Sequence, residues 1–276
     1  MTGPELTGPE LTVAVLGLGE AGSRFAADLA RAGAAVHGFD PRVPATGDVR
    51  FSSDAADACR GVDLVLSVNS AADALDALAQ GLPGCRPGTI WAEMNTASPR
   101  LKEAVHAAGG GAVAVVDVAI MAPVPGRGLR TPLTVSGPAA ERFAAMLRRY
   151  GATIDVVGGP VGAAATRKLL RSVFYKGMAA ATVEALAAAR AVGLEEWLSD
   201  NIREELIRGD AATLDRLVRG SQVHAVRRTH EMAAAADLLD DLGVPARVAR
   251  ASRDWLIDLA RGAQAQDDNG AQAQGA

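Results

Sequence analysis

Two groups of residues in this 276-residue chain have types and spacing that could do chemistry. The first is a G-x-G-x-x-G run made of Gly17, Leu18, Gly19, Glu20, Ala21 and Gly22. Its first glycine permits a tight turn, its second lets the backbone approach a phosphate, and its third lets a helix pack closely on a strand. The N-terminus of that helix favours negative charge. Asp40 follows Gly22 by 40 − 22 = 18 residues, near the ~20 expected of an acid that hydrogen-bonds a ribose. A carboxylate there can accept from both adenosine ribose hydroxyls and repels a 2′-phosphate, which favours NAD over NADP. Arg42 could instead pair with a 2′-phosphate and keeps NADP possible, and both residues could also merely cap a surface turn.

The second group is Lys168, Arg171, Ser172, Tyr175 and Lys176, set in apolar sequence. Offsets of 3, 4, 7 and 8 from Lys168 put all five on roughly one face of a helix. Such a stripe faces a cleft or faces solvent, and spacing alone leaves both open.

The surrounding pattern supplies the elements that would position these groups. Short apolar runs at 13–16, 35–39, 63–68, 89–93, 112–116, 133–135 and 153–157 read as strands. Helical stretches read at 20–32, 71–80, 97–108 and 139–150. This alternation predicts an α/β fold, an N-terminal Rossmann doubly wound parallel sheet over 12–161. From about 163 strand signals cease; a long Ala-rich helix to about 190 and shorter amphipathic helices predict an all-α domain over 162–262. A duplicated T-G-P-E-L at 2–6 and 7–11 has no face to bury, so 1–11 reads as a disordered arm, and the Gln/Ala/Gly-rich 263–276 as a disordered tail. Thr96 and Asn69 fall at the C-terminal ends of strands, where ligands of such sheets sit, and are expected to flank a nicotinamide.

Composition narrows the function classes. The net charge is −4, aromatic residues are 4% and no basic block stands out, so no nucleic-acid partner is expected. Two cysteines, Cys59 and Cys85, and four histidines without a cluster predict neither a disulfide framework nor a metal site. No basic-then-apolar leader or apolar run of membrane-spanning length is seen, so a cytoplasmic protein with a small-molecule substrate is expected.

The glycine run, the Asp40 strand end, N-T-A-S-P at 95–99 and G-A-A-A-T-R-K at 162–168 occur in the order and at the separations of the β-hydroxyacid dehydrogenase superfamily. The chain resembles that family over about 12–255. Its members include 3-hydroxyisobutyrate, tartronate-semialdehyde and 6-phosphogluconate dehydrogenases, and the G-E-A-G variant most resembles the phosphogluconate-dehydrogenase-like branch. The resemblance implies NAD(P)-dependent hydride exchange with a hydroxyl or carbonyl carbon of a small hydroxy acid. It implies Lys168 as general acid/base, with Ser172 standing where an asparagine usually holds substrate.

The family's D-A-P-V-S-G-G carboxylate loop matches 117–123, so Asp117 and Met121 are implied substrate contacts, joined by Thr96, Arg171 and Tyr175. Met121 begins the departure from Ser-Gly-Gly, which implies a changed substrate. A late K-D-L motif appears as H-E-M at 230–232, making His230 a further candidate contact or an ordinary surface histidine. The helical domain is expected to pair two subunits into a homodimer. Imine reductases share the architecture and usually carry Asp or Tyr at the lysine position; Lys168 argues against that branch, and Tyr175 keeps it as the alternative. A non-catalytic NAD-binding protein is a third reading. For Lys168 to act as a base near neutrality, burial and the charges of Arg171 and Lys176 are expected to ease loss of its proton.

Overall fold

The computed structural model describes residues 11–274, with side chains described through 263. Residues 1–10 of the expected arm lie outside the described residues. Leu11 is buried, and its N–H donates to the Tyr150 hydroxyl at 3.2 Å.

β1 (Thr12–Leu16) shows why the first half folds as it does. Val13 and Val15 enter one apolar cluster while Ala14 and Leu16 enter another. A strand buried on both faces belongs inside a parallel sheet covered on each side. The first cluster also holds Phe25 and Leu29 of α1 (Glu20–Arg31) and Phe143 and Leu147 of α5 (Ala140–Arg148). The second holds Ala55 and Ala58 of α2 (Ala55–Ala58), Leu78 of α3 (Ala74–Gly81) and Val105 of α4 (Pro99–Gly109). Helices therefore cover both faces. Phe25, Leu29, Phe143 and Leu147 are almost wholly buried, each worth about 1.5–3 kcal/mol of transfer free energy.

The remaining strands are β2 (Ala35–Phe39), β3 (Arg50–Phe51), β4 (Leu64–Ser67), β5 (Ile90–Glu93), β6 (Ala114–Ile120), β7 (Leu133–Ser136) and β8 (Ile154–Val156). They form one sheet of order β3-β2-β1-β4-β5-β6-β7-β8. Neighbours are parallel except β6 and β7, where Asp117 opposes Ser136 in an antiparallel pair. The order reverses direction at β1, leaving a crevice between the ends of β1 and β4. Two-residue β3 and one-turn α2 lie below what periodicity resolves. β6 runs four residues beyond its expected end, so Asp117 lies within a strand and only Met121 begins the loop.

The chain divides into two compact units between Arg171 and Ser172, ten residues past the expected boundary at 161. The division falls inside α6 (Ala163–Ala191), because the first turn of that helix is bonded to β6 and β7 of the sheet.

The second unit continues with α7 (Glu195–Arg208), α8 (Ala211–Val223), α9 (Ala225–Asp241) and α10 (Arg247–Gln274). Its core is small: Ala188, Ala236, Leu239, Ala246 and Ala249, where α9 packs on α10. Glu184 of α6 accepts the N–H groups of Val248 and Ala249, both at 2.8 Å, and so caps the start of α10. Neither α7 nor α8 buries a residue. The tail expected to be disordered from 263 is instead helical backbone to Gln274; its Ala and Gln residues favour helix, and α10 supplies the nucleus they extend. Among the described residues no helix is long and apolar enough to cross a membrane.

Candidate active site

The glycine run follows β1 directly. Gly17 has φ +96°, and a Cβ there would sit 2.6 Å from the carbonyl oxygen of Val68, where β4 ends. A Cβ at Gly22 would lie 1.9 Å from the Gly17 carbonyl oxygen. Both positions therefore exclude a side chain. Gly19 differs, since a Cβ there would enter open space. It faces a groove of about 390 Å³ lined also by Gly17, Asp40, Arg42, Asn69 and Asp73. The helix α1 that begins at Glu20 has no side-chain cap, so its first N–H groups point to an anion from outside the helix. These features fit a dinucleotide: an uncapped helix start for the pyrophosphate, with approach to the main chain open at Gly19.

Asp40 ends β2 and has a role that spacing did not reveal. Its Oδ2 accepts the Leu18 N–H at 2.8 Å, while Oδ1 accepts those of Arg42 at 2.8 Å and Val43 at 3.0 Å. It ties the glycine loop to the turn that follows β2. Burial pushes its carboxyl up, but those three amides and the Arg42 charge outweigh burial and hold it below the usual range. A carboxylate has about four acceptor positions, and three are taken. One acceptor position is left for a group from outside the turn.

The second set of residues gathers at the ends of β5 and β6. The N-T-A-S-P segment starts α4: Ser98 accepts the Leu101 N–H at 3.2 Å as its cap, and Pro99 takes the first helical position. This fixes the two preceding residues. Asn95 donates to the Asn69 side chain at 2.6 Å, and Thr96 accepts from the Lys168 ammonium at 2.7 Å. Arg171, one turn beyond Lys168, donates to the Met121 carbonyl at 2.7 Å. Lys168, Thr96, Asn69, Met121 and Arg171 therefore belong to one edge of the first unit. Ser172 and Tyr175 lie on α6 within the second unit, where the Tyr175 ring meets Phe174 edge-on with centroids 5.1 Å apart. His230 is exposed on α9, also in the second unit.

Asp117 lies inside β6 and not in a loop. It is wholly buried, and its Oδ2 accepts the Gly162 N–H at 3.0 Å, the Ala165 N–H at 2.9 Å and the Ser136 hydroxyl at 3.3 Å. This carboxylate anchors the start of α6 and so positions the helix that carries Lys168. Its other oxygen faces Lys102 of α4 at 3.3 Å. Lys102 is 1% exposed, donates to the Glu93 main-chain carbonyl at 2.6 Å and lies 3.7 Å from the Glu93 carboxylate. Burial pushes the Glu93 carboxyl above its usual range, against the pull of Lys102 and the Asn95 amide.

Lys102 and Glu93 escaped sequence reasoning, although a signal existed. Lys102 shares the buried face of α4 with Val105 and Gly109, at the spacing of a core position. Lys102 and Lys168 line one narrow recess with Asn95, Thr96 and Ala165. Burial brings the Lys168 ammonium down from 10.5 to about 8, Lys102 pushes the same way, and Asp117 opposes. Lys102 is thus a repelling cation that the sequence did not offer.

Residues 12–159 match the family model described as the NAD binding domain of 6-phosphogluconate dehydrogenase. The chain belongs to that family, within the β-hydroxyacid dehydrogenase-like superfamily. Its sheet half is a nicotinamide-dinucleotide-binding domain, and residues 189–259 match a domain of unknown function. A conserved protein of unknown function, described as structurally similar to 3-hydroxyacid dehydrogenases, is 30% identical, with 90% of this chain and 98% of that one covered and a TM-score of 0.59. An imine reductase from Myxococcus stipitatus, in complex with NADP+, shares the fold at a TM-score of 0.78 and 20% identity over 91% and 94%. An uncharacterized 28.5 kDa protein in the 7S RNA 5′ region of Methanothermus fervidus is 28% identical over 67% of this chain and 70% of its own length. The superfamily's dehydrogenases and reductases share this nucleotide-binding half, so the reaction must be argued from the lysine site.

Proposed function

We propose that the protein is an NAD(P)-dependent oxidoreductase acting on the hydroxyl-bearing carbon of a small hydroxy acid, or on the corresponding carbonyl. The observation that carries the reading is Lys168: half-buried at the C-terminal edge of the sheet, bonded to Thr96, and brought down to about 8. A lysine in that state exchanges a proton near neutral pH, as a general acid/base must. The bound nicotinamide supplies the hydride acceptor or donor. Lys168 takes the hydroxyl proton in oxidation and returns it in reduction, and Thr96 aims the amine. Arg171, anchored through the Met121 carbonyl, sets a cation one turn away, suited to a substrate carboxylate.

A panel of 2- and 3-hydroxy acids, with ketones, aldehydes and imines in the reverse direction, tests the reading with both NAD(H) and NADP(H). Turnover of hydroxy acids supports it. Turnover of imines alone would make the protein an imine reductase, and cofactor binding with no turnover would make it a binding protein. The assembly we propose is a homodimer through the helical unit. Val173, Val183, Trp197, Ile207 and Val223 are each at least 63% exposed in a unit whose own core is small, and such area calls for a second copy. A monomer by light scattering at micromolar concentration would end that part of the proposal.

A further inference from the structure

The buried lysine of α4 is unexplained by folding alone. Replacing a buried ion pair with apolar residues is often neutral or stabilising, so burial of Lys102 is weak evidence for a stability role. Its bonding is also unusual. The shortest contact is to a main-chain carbonyl, at 2.6 Å, while the acids on either side lie at 3.3 and 3.7 Å. Asp117 spends its other oxygen on the start of α6. The Lys102 charge is therefore not locked into a close ion pair, and in the interior a charge acts over longer range than in water. The recess it shares with Lys168 gives that field a direction.

We infer that Lys102 is a positioning residue for Lys168: a buried cation, held between Glu93 and Asp117 behind the recess, that sets how readily the Lys168 ammonium releases its proton. The acids beside Lys102 are Glu93 from β5 and Asp117 from β6, and Arg171 lies one turn along α6 from Lys168. Of these Asp117 favours the ammonium form of Lys168, and Lys102 disfavours it. Removing Lys102 leaves the pull of Asp117 without that opposing charge. The inference rests on the reading of Lys168 as the acid/base group only for its catalytic meaning; the charge coupling itself is independent of any substrate.

The test labels the full-length protein with limiting acetic anhydride across pH 6–11 and quantifies modification of Lys168 by peptide mass spectrometry. Wild-type protein should show a midpoint near 8. Lys102→Met should raise it by about one pH unit or more, and Lys102→Arg, which keeps the charge, should stay near wild type. Should Lys102→Met not fold, Lys102→Gln removes the charge while keeping a donor for the Glu93 carbonyl and should raise the midpoint likewise. An unchanged midpoint in a Lys102→Met or Lys102→Gln variant shown folded by circular dichroism overturns the inference, as does a Lys102→Arg midpoint as high as that of Lys102→Met. Failure of the functional reading is separately visible: Lys168→Met would then retain turnover, whatever the labelling midpoints.

Discussion

Replacing Lys168 with methionine tests the site most directly, because the expected loss can be worked from its environment. A lysine at its ordinary 10.5 is neutral in about one molecule in 3,000 at pH 7, whereas one at about 8 is neutral in about one in ten. The site thus multiplies the available base by roughly 300-fold before orientation by Thr96 is counted. Methionine keeps the length and apolar stem but neither accepts nor gives a proton, so turnover should fall by roughly 10²–10⁴. NAD affinity should stay within about threefold, since the groove residues Gly17, Gly19 and Asp40 are untouched. The signs with pH follow from the same group. Oxidation needs neutral Lys168, so its kcat should rise with pH and level off above about 8; reduction needs the ammonium and should decline above that value. Stopped-flow or steady-state rates between pH 6 and 10, on whichever substrate the panel identifies, measure both limbs. A Lys168→Met enzyme within threefold of wild-type turnover, or an oxidation profile flat from pH 6 to 9, would refute the assignment.

Gly22→Ala puts a methyl 1.9 Å from the Gly17 carbonyl oxygen, so the loop must shift; NAD binding by calorimetry should weaken at least ~10-fold and the melting temperature should drop, overpacking typically costing about 1–3 kcal/mol. Asp40→Ser removes the acid that repels a 2′-phosphate and should raise the NADP-to-NAD ratio of kcat/KM at least ~10-fold; an unmoved ratio would show that Arg42 alone reads the ribose. Glu184→Ala removes the cap of α10 and should destabilise the helical unit by about 1 kcal/mol in urea melts. Burial pushes the Glu184 carboxyl up, but the amides of Val248, Ala249 and Arg247 and the Arg247 charge bring it below its usual 4.5. The native contribution is therefore full above that pH and fades as pH falls below it, so the wild-type and variant melts should converge at acid pH.

The sheet half was legible because its strands are continuous apolar runs and its turn carries a glycine code, with a steric reason at Gly17 and Gly22 and open approach at Gly19. Asp40 was legible as an acid at the end of the second strand beside the glycine loop, but not as the clamp on Leu18, since a side-chain bond across 22 residues leaves no periodicity. Asp117 was read as part of a loop for a related reason. Loop and strand residues look alike when apolar sequence runs on through Ile120, and only the antiparallel pairing with β7 shows that the acid is interior. Lys102 was missed because a lysine in an amphipathic helix is normally solvated; its burial depends on two acids from separate strands arriving opposite it. The end of α10 was misjudged because composition was weighed without the helix that precedes it.

The anchoring of α6 by Asp117 has a consequence for how the enzyme comes into being. The carboxylate sits on β6, its hydroxyl partner Ser136 on β7, and the amides it accepts open the helix that carries Lys168. These segments are far apart in the chain, so the helix start gains its anchor only after the strands have paired. Until then Lys168 is an ordinary solvated amine, almost wholly protonated and chemically quiet. A nascent or partly folded chain can therefore bind nothing with this side chain that an ordinary surface lysine would not bind. Its altered reactivity requires these long-range contacts, which makes that one amine a chemical reporter of the joining of β6, β7 and α6.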